Sequence, residues 1–160
     1  MTTEEKHPFV AYLESLAENR GALAALRRGL GQPPGTVASM YPYVARWIGE
    51  DTPTWQEEAY YLIAALCALH PQPGGVGNMG DHFRRAAHER RQAFERRFEA
   101  LLATHPDDLP DMLRQSVSLV KSQEVPINWD QLLGDVLHWG HPDRYVQRRW
   151  ASSFWGADDD

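Results

Sequence analysis

Met79-Gly80-Asp81-His82-Phe83-Arg84-Arg85-Ala86-Ala87-His88-Glu89-Arg90-Arg91-Gln92-Ala93-Phe94-Glu95-Arg96-Arg97-Phe98-Glu99-Ala100-Leu101-Leu102 is the stretch around which the chain is organised. Within it Phe83, Ala87, Phe94, Phe98 and Leu101 recur at three-, four- and seven-residue steps, the spacing of one face of an α-helix. Asp81 is placed to cap the start, because its carboxylate can accept from free N–H groups of the first turn. Gly80 before it and Pro106 after it mark the limits. The pattern predicts one long central helix with an apolar seam and an arginine-rich exterior.

The charge on that helix runs against the charge of the chain. Six arginines against Glu89 and Glu95 make residues 84–97 net +4 (6 − 2), while the whole chain is −6. At about 100° per residue, Arg84 and Arg91 flank one side of the seam, Arg90 and Arg97 the other, and Arg85 and Arg96 point away. Such a patch attracts phosphates. The alternative is a solvated helix with Glu–Arg pairs and arginine stems laid along apolar neighbours.

Working outward, 160 residues suit one domain or two small ones, and 42% apolar content supports a core. A pI near 5.6 argues against a histone-like binder that works by bulk charge. The acids are uneven: Asp158-Asp159-Asp160 closes the chain and Glu4-Glu5 lies near its start. Cys67 is the only cysteine, so no internal disulfide forms; inside the run Ala59 to Leu69 it reads as a small core hydrophobe. That run is too short to span a bilayer. The polar start Met1-Thr2-Thr3-Glu4-Glu5-Lys6-His7 is unlike a secretory signal, and a cytoplasmic location is the default expectation.

The rest of the chain reads as helices. Phe9, Val10, Leu13, Leu16 and Ala17 mark one from about Glu5 to Glu18, and Ala22 to Leu30 a short second one. Arg20 and Arg27 stand one heptad apart on it, with Arg28 outward. Gly31-Gln32-Pro33-Pro34-Gly35 is a firm stop. Ser39 to Ile48 forms a third helix, with Pro42 tolerated in its first turn. Thr54 and Glu57 fit a capping box for a helix to about Leu69 that is apolar nearly all round, the buried centre of the first half. Pro71 to Gly77 is a connector. Asp107 to Ser122 is helical, with Arg114 and Lys121 one heptad apart. Asn128 caps Trp129 to Trp139, and Asp143 caps Arg144 to Trp155. In that last helix Val146, Trp150 and Phe154 form the buried stripe, which leaves Arg144 and Arg148 near the opposite face and Arg149 to one side. No segment alternates with period two, so no strand is expected.

Enzyme chemistry finds little support. His138 and His141 lie beside Asp135 and Asp143, but a Gly140–Pro142 turn separates them; His82 and His88 are badly spaced for two ligands on one helical face. Asp107, Asp108 and Asp111 suit a helix N-terminus without any nuclease role. No phosphate-binding glycine motif or nucleophile elbow is present. Neither a metal nor any other cofactor is expected, and no catalytic residue is assigned.

The closing third carries a resemblance. Val125-Pro126-Ile127-Asn128-Trp129-Asp130-Gln131-Leu132-Leu133-Gly134-Asp135-Val136-Leu137-His138-Trp139, followed by Val146-Gln147-Arg148-Arg149-Trp150-Ala151-Ser152-Ser153-Phe154-Trp155, resembles the small subunit of the type I-E CRISPR surveillance complex, Cascade. Arg96 to Leu102 with Asp107-Asp108-Leu109, and Tyr60-Tyr61-Leu62-Ile63-Ala64 followed by His70-Pro71, are similar to the same family, so the likeness spans most of the chain. It implies an all-helical, non-enzymatic subunit that sits as a head-to-tail pair with a second copy of itself among the other Cascade subunits. It implies contact with CRISPR RNA and target DNA, including the displaced single strand, through basic surface residues; base pairing reads the sequence and protein holds the backbone. A role at a membrane is not implied. The net negative charge departs from a strongly basic binder and argues against tight binding by the isolated subunit.

The expectation is therefore an all-α bundle of about seven to nine helices in two halves: residues 1–72, a Gly/Pro-rich connector 73–78, a second bundle 79–157, and the acidic tail 158–160. Nucleic-acid contacts are expected from Arg20, Arg27, Arg28, Arg84, Arg85, Arg90, Arg91, Arg114, Lys121, Arg144, Arg148 and Arg149. The competing readings are a protein–protein scaffold, in which the Trp and Tyr content serves interfaces, and a metal-dependent enzyme using the histidines.

Overall fold

The computed structural model describes residues 6–156, in two compact units that divide between Pro71 and Gln72. Among the described residues the chain is all-α: nine α-helices, three 3-10 turns and no strand. The acidic tail Asp158–Asp160 lies outside the described residues. The first helix, expected from about Glu5 to Glu18, instead runs Pro8–Ser15, because His7 caps it with its Nδ1 accepting the Phe9 N–H at 3.2 Å.

In the N-terminal unit, α1 (Pro8–Ser15) and α2 (Arg20–Arg27) pack on α4 (Thr54–Leu69), and the short α3 (Tyr41–Val44) lies between 3-10 turns at Ala38–Met40 and Ala45–Trp47. The expected helix from Ser39 to Ile48 is thus three short pieces. Asn19 separates α1 from α2 because its Oδ1 accepts the Ala22 N–H at 3.0 Å, a better use of the residue than continuing a helix. The Thr54–Glu57 capping box does not form: Pro53 occupies the N-cap and supplies no side-chain bond. As its composition requires, α4 is the buried centre, with Ala59 to Tyr61 and Ile63 to Ala68 all buried. Phe9 stacks on Tyr60 at 4.7 Å between centroids. Burial, with the Glu14 carboxylate as a lesser cause, pushes the Cys67 thiol up to about 12, so it stays an unreactive packing group.

The C-terminal unit holds α5 (Met79–Ala87), α6 (Arg91–Leu102), α7 (Leu109–Ser122), α8 (Trp129–Leu137) and α9 (Tyr145–Trp155). The expected single helix over 79–102 is therefore two. His88 adopts φ 43° and ψ −117°, and the Arg90 N–H closes on the Ala87 carbonyl at 2.7 Å. This is a four-residue turn whose first central position ordinarily favours glycine. Packing overrides local preference here. Phe83 lies 6.2 Å from Phe94 and 5.1 Å from Phe98, whereas an unbroken helix would hold residues 83 and 94 about 16 Å apart along its axis. The start also differs: Asn78, not Asp81, is the N-cap, and Asp81 accepts the Asn78 N–H in a reciprocal capping box.

The unit closes around α9, with Val146, Trp150 and Phe154 buried as the four-residue spacing predicts. Gly80 brings α5 close enough to α9 that a Cβ there would fall 2.1 Å from the Trp150 carbonyl oxygen. Trp150 Nε1 donates to Asp135 Oδ2 at 2.7 Å, and Gln131 Nε2 donates to Asp135 Oδ1 at 2.9 Å. Burial raises the Asp135 carboxyl above its ordinary range, although these donors and the Arg149 charge pull it down. The sign follows from proton binding. Between the ordinary carboxylate value and the raised one, the folded chain holds more protons than the unfolded chain, so stability falls as pH rises through that window. Asp135→Asn keeps an acceptor for Trp150 while removing the buried charge. It should raise Tm at pH 7 by a few degrees, and the gain should vanish by about pH 3.5, below the ordinary carboxylate value. Melting curves across that range check it; a Tm lowered at pH 7 would show that the ionised carboxylate is favoured in its site.

Candidate nucleic-acid interface

The twelve expected cations divide by what their head groups meet. In the N-terminal unit Arg20 opens α2 and is exposed, as is Arg28 just past its end. Arg27 is exposed too, but its Nη1 donates to the Ala68 carbonyl at 3.3 Å near the end of α4. That bond suits a helix C-terminus, where carbonyls lack partners and the dipole favours a cation.

Four arginines of the C-terminal unit make similar internal bonds. Arg84 stands 3.5 Å from Asp81, and Arg85 donates to the Val76 carbonyl at 2.7 Å. Arg91, half-buried, lies with its guanidinium carbon 4.6 Å over the Phe154 ring and donates to the Phe154 carbonyl at 3.4 Å. Arg144 is the N-cap of α9 rather than a helical residue, with left-handed φ 52° and ψ 38°. From there it donates to the Leu102 carbonyl at 2.7 Å. Two expectations are corrected by this geometry. Asp143 does not cap α9, because the chain turns through Arg144 first, and Arg144 is not free of the fold's own contacts. Arg90 sits exposed in the turn before α6. Arg148 and Arg149 line one recess of about 530 Å³ with Asn78, Tyr145, Ser152 and Ser153, and Arg149 lies 4.8 Å over the Tyr145 ring.

Arg114 has different company. It lines a groove of about 600 Å³ with Arg97, Asp111, Gln115, Ser118, Leu119 and Ser122. A smaller recess of about 220 Å³ shares Arg97 and Gln115 and adds Arg96. These walls belong to α6 and α7, which pack together, and Lys121 stands two turns beyond Arg114 and nearly in line with it. All four cations are exposed, and none has an ion-pair partner among the described residues. The groove and its adjoining recess thus offer three guanidiniums without competing internal bonds, beside the Ser118 hydroxyl and the Gln115 amide, with Asp111 as the one carboxylate on the groove wall. That combination suits phosphate oxygens. None of Arg84, Arg85, Arg90 or Arg91 lines it. Arg96 and Arg97 stand outside the sequence-derived set. Their pairing is visible in the sequence, but their neighbours on α7 emerge only once the helix breaks at His88.

No group of three or more metal-ligating side chains that could hold an ion occurs among the described residues, and no described helix is long and apolar enough to cross a membrane.

Comparison with known proteins settles the lineage. The family model described as CRISPR-associated protein Cse2 matches residues 22–155. The chain belongs to the Cse2 family. That is the small subunit of type I-E Cascade, as the sequence resemblance implies. Cse2 from Thermus thermophilus is 41% identical over 140 residues, covering 85% of this chain and 79% of its own. A crystal structure of a Cse2-family protein from that organism shares 37% identity, with a TM-score of 0.81 over 93% of this chain and 96% of that one. A chain in a solved CRISPR RNA-guided surveillance complex shares 28% identity, with a TM-score of 0.76 over 91% and 88%. The all-α architecture is thus the Cse2 fold.

Proposed function

We propose that this Cse2-family chain is a non-catalytic structural subunit of an RNA-guided DNA surveillance complex, acting in antiviral defence. Its partners are the other Cascade subunits, a second copy of itself, CRISPR RNA and target DNA. In that setting it holds nucleic-acid backbone, including the displaced single strand, and so stabilises the R-loop. R-loop formation is a near-balanced exchange of duplexes, so modest backbone contacts suffice to tip it. The observation that carries this reading is the α6–α7 groove with its adjoining recess, where Arg97 and Arg114 in the one and Arg96 in the other stand without internal partners. Lys121, Arg148, Arg90, Arg20 and Arg28 are further exposed contacts of the same kind. Arg27, Arg84, Arg85, Arg91, Arg144 and Arg149 would meet a phosphate only by sharing or exchanging the contacts they already make.

Arg97→Glu with Arg114→Glu tests this in the assembled complex. Both side chains are exposed, so helicity and Tm should stay near wild type. Target-DNA affinity should fall, and the slope of log affinity against log salt should flatten by roughly 0.7 for each single-strand phosphate the protein ceases to neutralise. Wild-type affinity and slope in an intact complex would remove the groove from the nucleic-acid surface.

One observation favours the scaffold reading for the other unit. Trp55 is 59% exposed near the start of α4, in a sequence neighbourhood that includes Glu50, Asp51, Glu57 and Glu58. An apolar ring with acidic neighbours fits a protein surface better than a phosphate backbone. On that reading Trp55→Ala weakens assembly of the complex, while the groove variant does not.

A further inference from the structure

The turn between α5 and α6 is at odds with its own sequence. No glycine or proline occurs between Gly80 and Pro106, and residues 81–102 are mostly good helix formers. Yet His88 holds φ 43°, a conformation that side-chain-bearing residues rarely adopt, at a turn position that ordinarily goes to glycine. His88, Glu89 and Arg90 are exposed, so the core does not require their side chains in the turn. What holds the bend is the packing on either side: Phe83 against Phe94 and Phe98, and Asn78 Nδ2 donating to Ser153 Oγ at 2.9 Å.

We infer that α5 and α6 can fuse into one helix from Met79 to Leu102, with everything before His88 exchanged between two copies of the chain. Fusion within a single copy would carry Phe83 away from Phe94 and Phe98 and strip all three rings of that packing. With two copies, α5 of each packs against α6 and α9 of the other. The packing across the bend is then restored in full, and only the strained turn disappears. A short hinge under strain, with the same contacts available from a second copy, is the condition that favours such an exchange. This inference goes beyond the nucleic-acid reading and does not rest on it.

The test is a disulfide placed across the exchanged contact. In full-length chain carrying Cys67→Ala, Asn78→Cys and Ser153→Cys, the paired positions already face each other through their side chains. The protein is refolded at high concentration, monomer and dimer are separated by size, and each is oxidised and run on a non-reducing denaturing gel. The expected result is a covalent dimer from the dimer fraction and a bridged single chain from the monomer fraction. In a background without new cysteines, His88→Gly relieves the turn and disfavours the fused helix, so it should lower the dimer association constant about tenfold or more. His88→Ala with Glu89→Ala keeps the strain and improves the helix, so it should raise the dimer fraction. Two results overturn the inference: a dimer fraction whose bridges all close within single chains, or no dimer at any concentration from wild type and the alanine variant alike.

Discussion

Trp150→Ala should lower the stability of the C-terminal unit by about 3–5 kcal/mol, the cost of emptying a large aromatic site in a packed core. Trp150 has 0% exposure, and its ring lies 5.0 Å from that of Trp139. Three effects coincide. The cavity opens between α9 and the turn after α8; the Trp139 ring, whose Nε1 donates to the Thr104 carbonyl at 3.0 Å, is left without its neighbour; and Asp135 keeps only the Gln131 donor. A buried carboxylate stripped of a partner adds to the cavity cost, because its desolvation is no longer offset. Trp150→Phe separates the two effects. It retains most of the volume but not the N–H, so its destabilisation should be much smaller and should shrink further at acid pH, where Asp135 is protonated. Urea unfolding followed by near-ultraviolet circular dichroism measures both variants. A Trp150→Ala protein as stable as wild type would mean that α9 is not held by its buried stripe.

Gly80→Ala should destabilise by about 2 kcal/mol or more, although alanine is ordinarily better than glycine inside a helix by roughly 1 kcal/mol. Steric contact decides the sign. The added methyl would sit 2.1 Å from the Trp150 carbonyl oxygen and 2.9 Å from its carbon. A relaxed C···O contact needs about 3.3 Å, so α5 must move away from the α9 backbone by an ångström or more. That shift loosens the neighbouring packing of Phe83 and the Asn78–Ser153 bond together. Gly134 in α8 is the internal control: a Cβ there meets nothing within 4 Å. Gly134→Ala should therefore stabilise by about 0.5–1 kcal/mol. The two urea midpoints should move in opposite directions, and a shared direction would discount the close approach of α5 to α9.

The buried seams of this protein are legible in its sequence because apolar spacing reports one face of each helix directly. Phe83, Phe94, Phe98 and Leu101 are buried, as are Val146, Trp150 and Phe154, and α4 is the apolar centre of its unit. The cap at Asn128 is legible as well, with its Oδ1 accepting the Gln131 N–H at 3.1 Å. The break at His88 is not, because the residues around it favour helix and the force that bends them comes from rings eleven and fifteen positions beyond Phe83. The destinations of the arginines are equally hidden. Periodicity places Arg144 relative to α9 alone; it says nothing of the Leu102 carbonyl, 42 residues away in sequence, that the guanidinium reaches. The groove around Arg114 eludes sequence for the same reason, since its walls come from two helices whose facing sides only the tertiary packing fixes.

The scarcity of lysine changes what chemistry can report about this chain. Lys6 and Lys121 are the only two lysines among sixteen basic side chains. Lys6 is tied to Glu14 at 2.7 Å, whereas Lys121 is exposed on α7, in line with Arg114. An amine-directed cross-linker or acylating footprint therefore addresses the side chains of the C-terminal unit at one point, on the flank of the arginine groove. Cross-links from Lys121 would name whatever lies along that flank in an assembled complex. Silence elsewhere on the unit would reflect missing amines, not distance from a neighbour, and mapping those surfaces calls for guanidinium- or carboxylate-directed reagents.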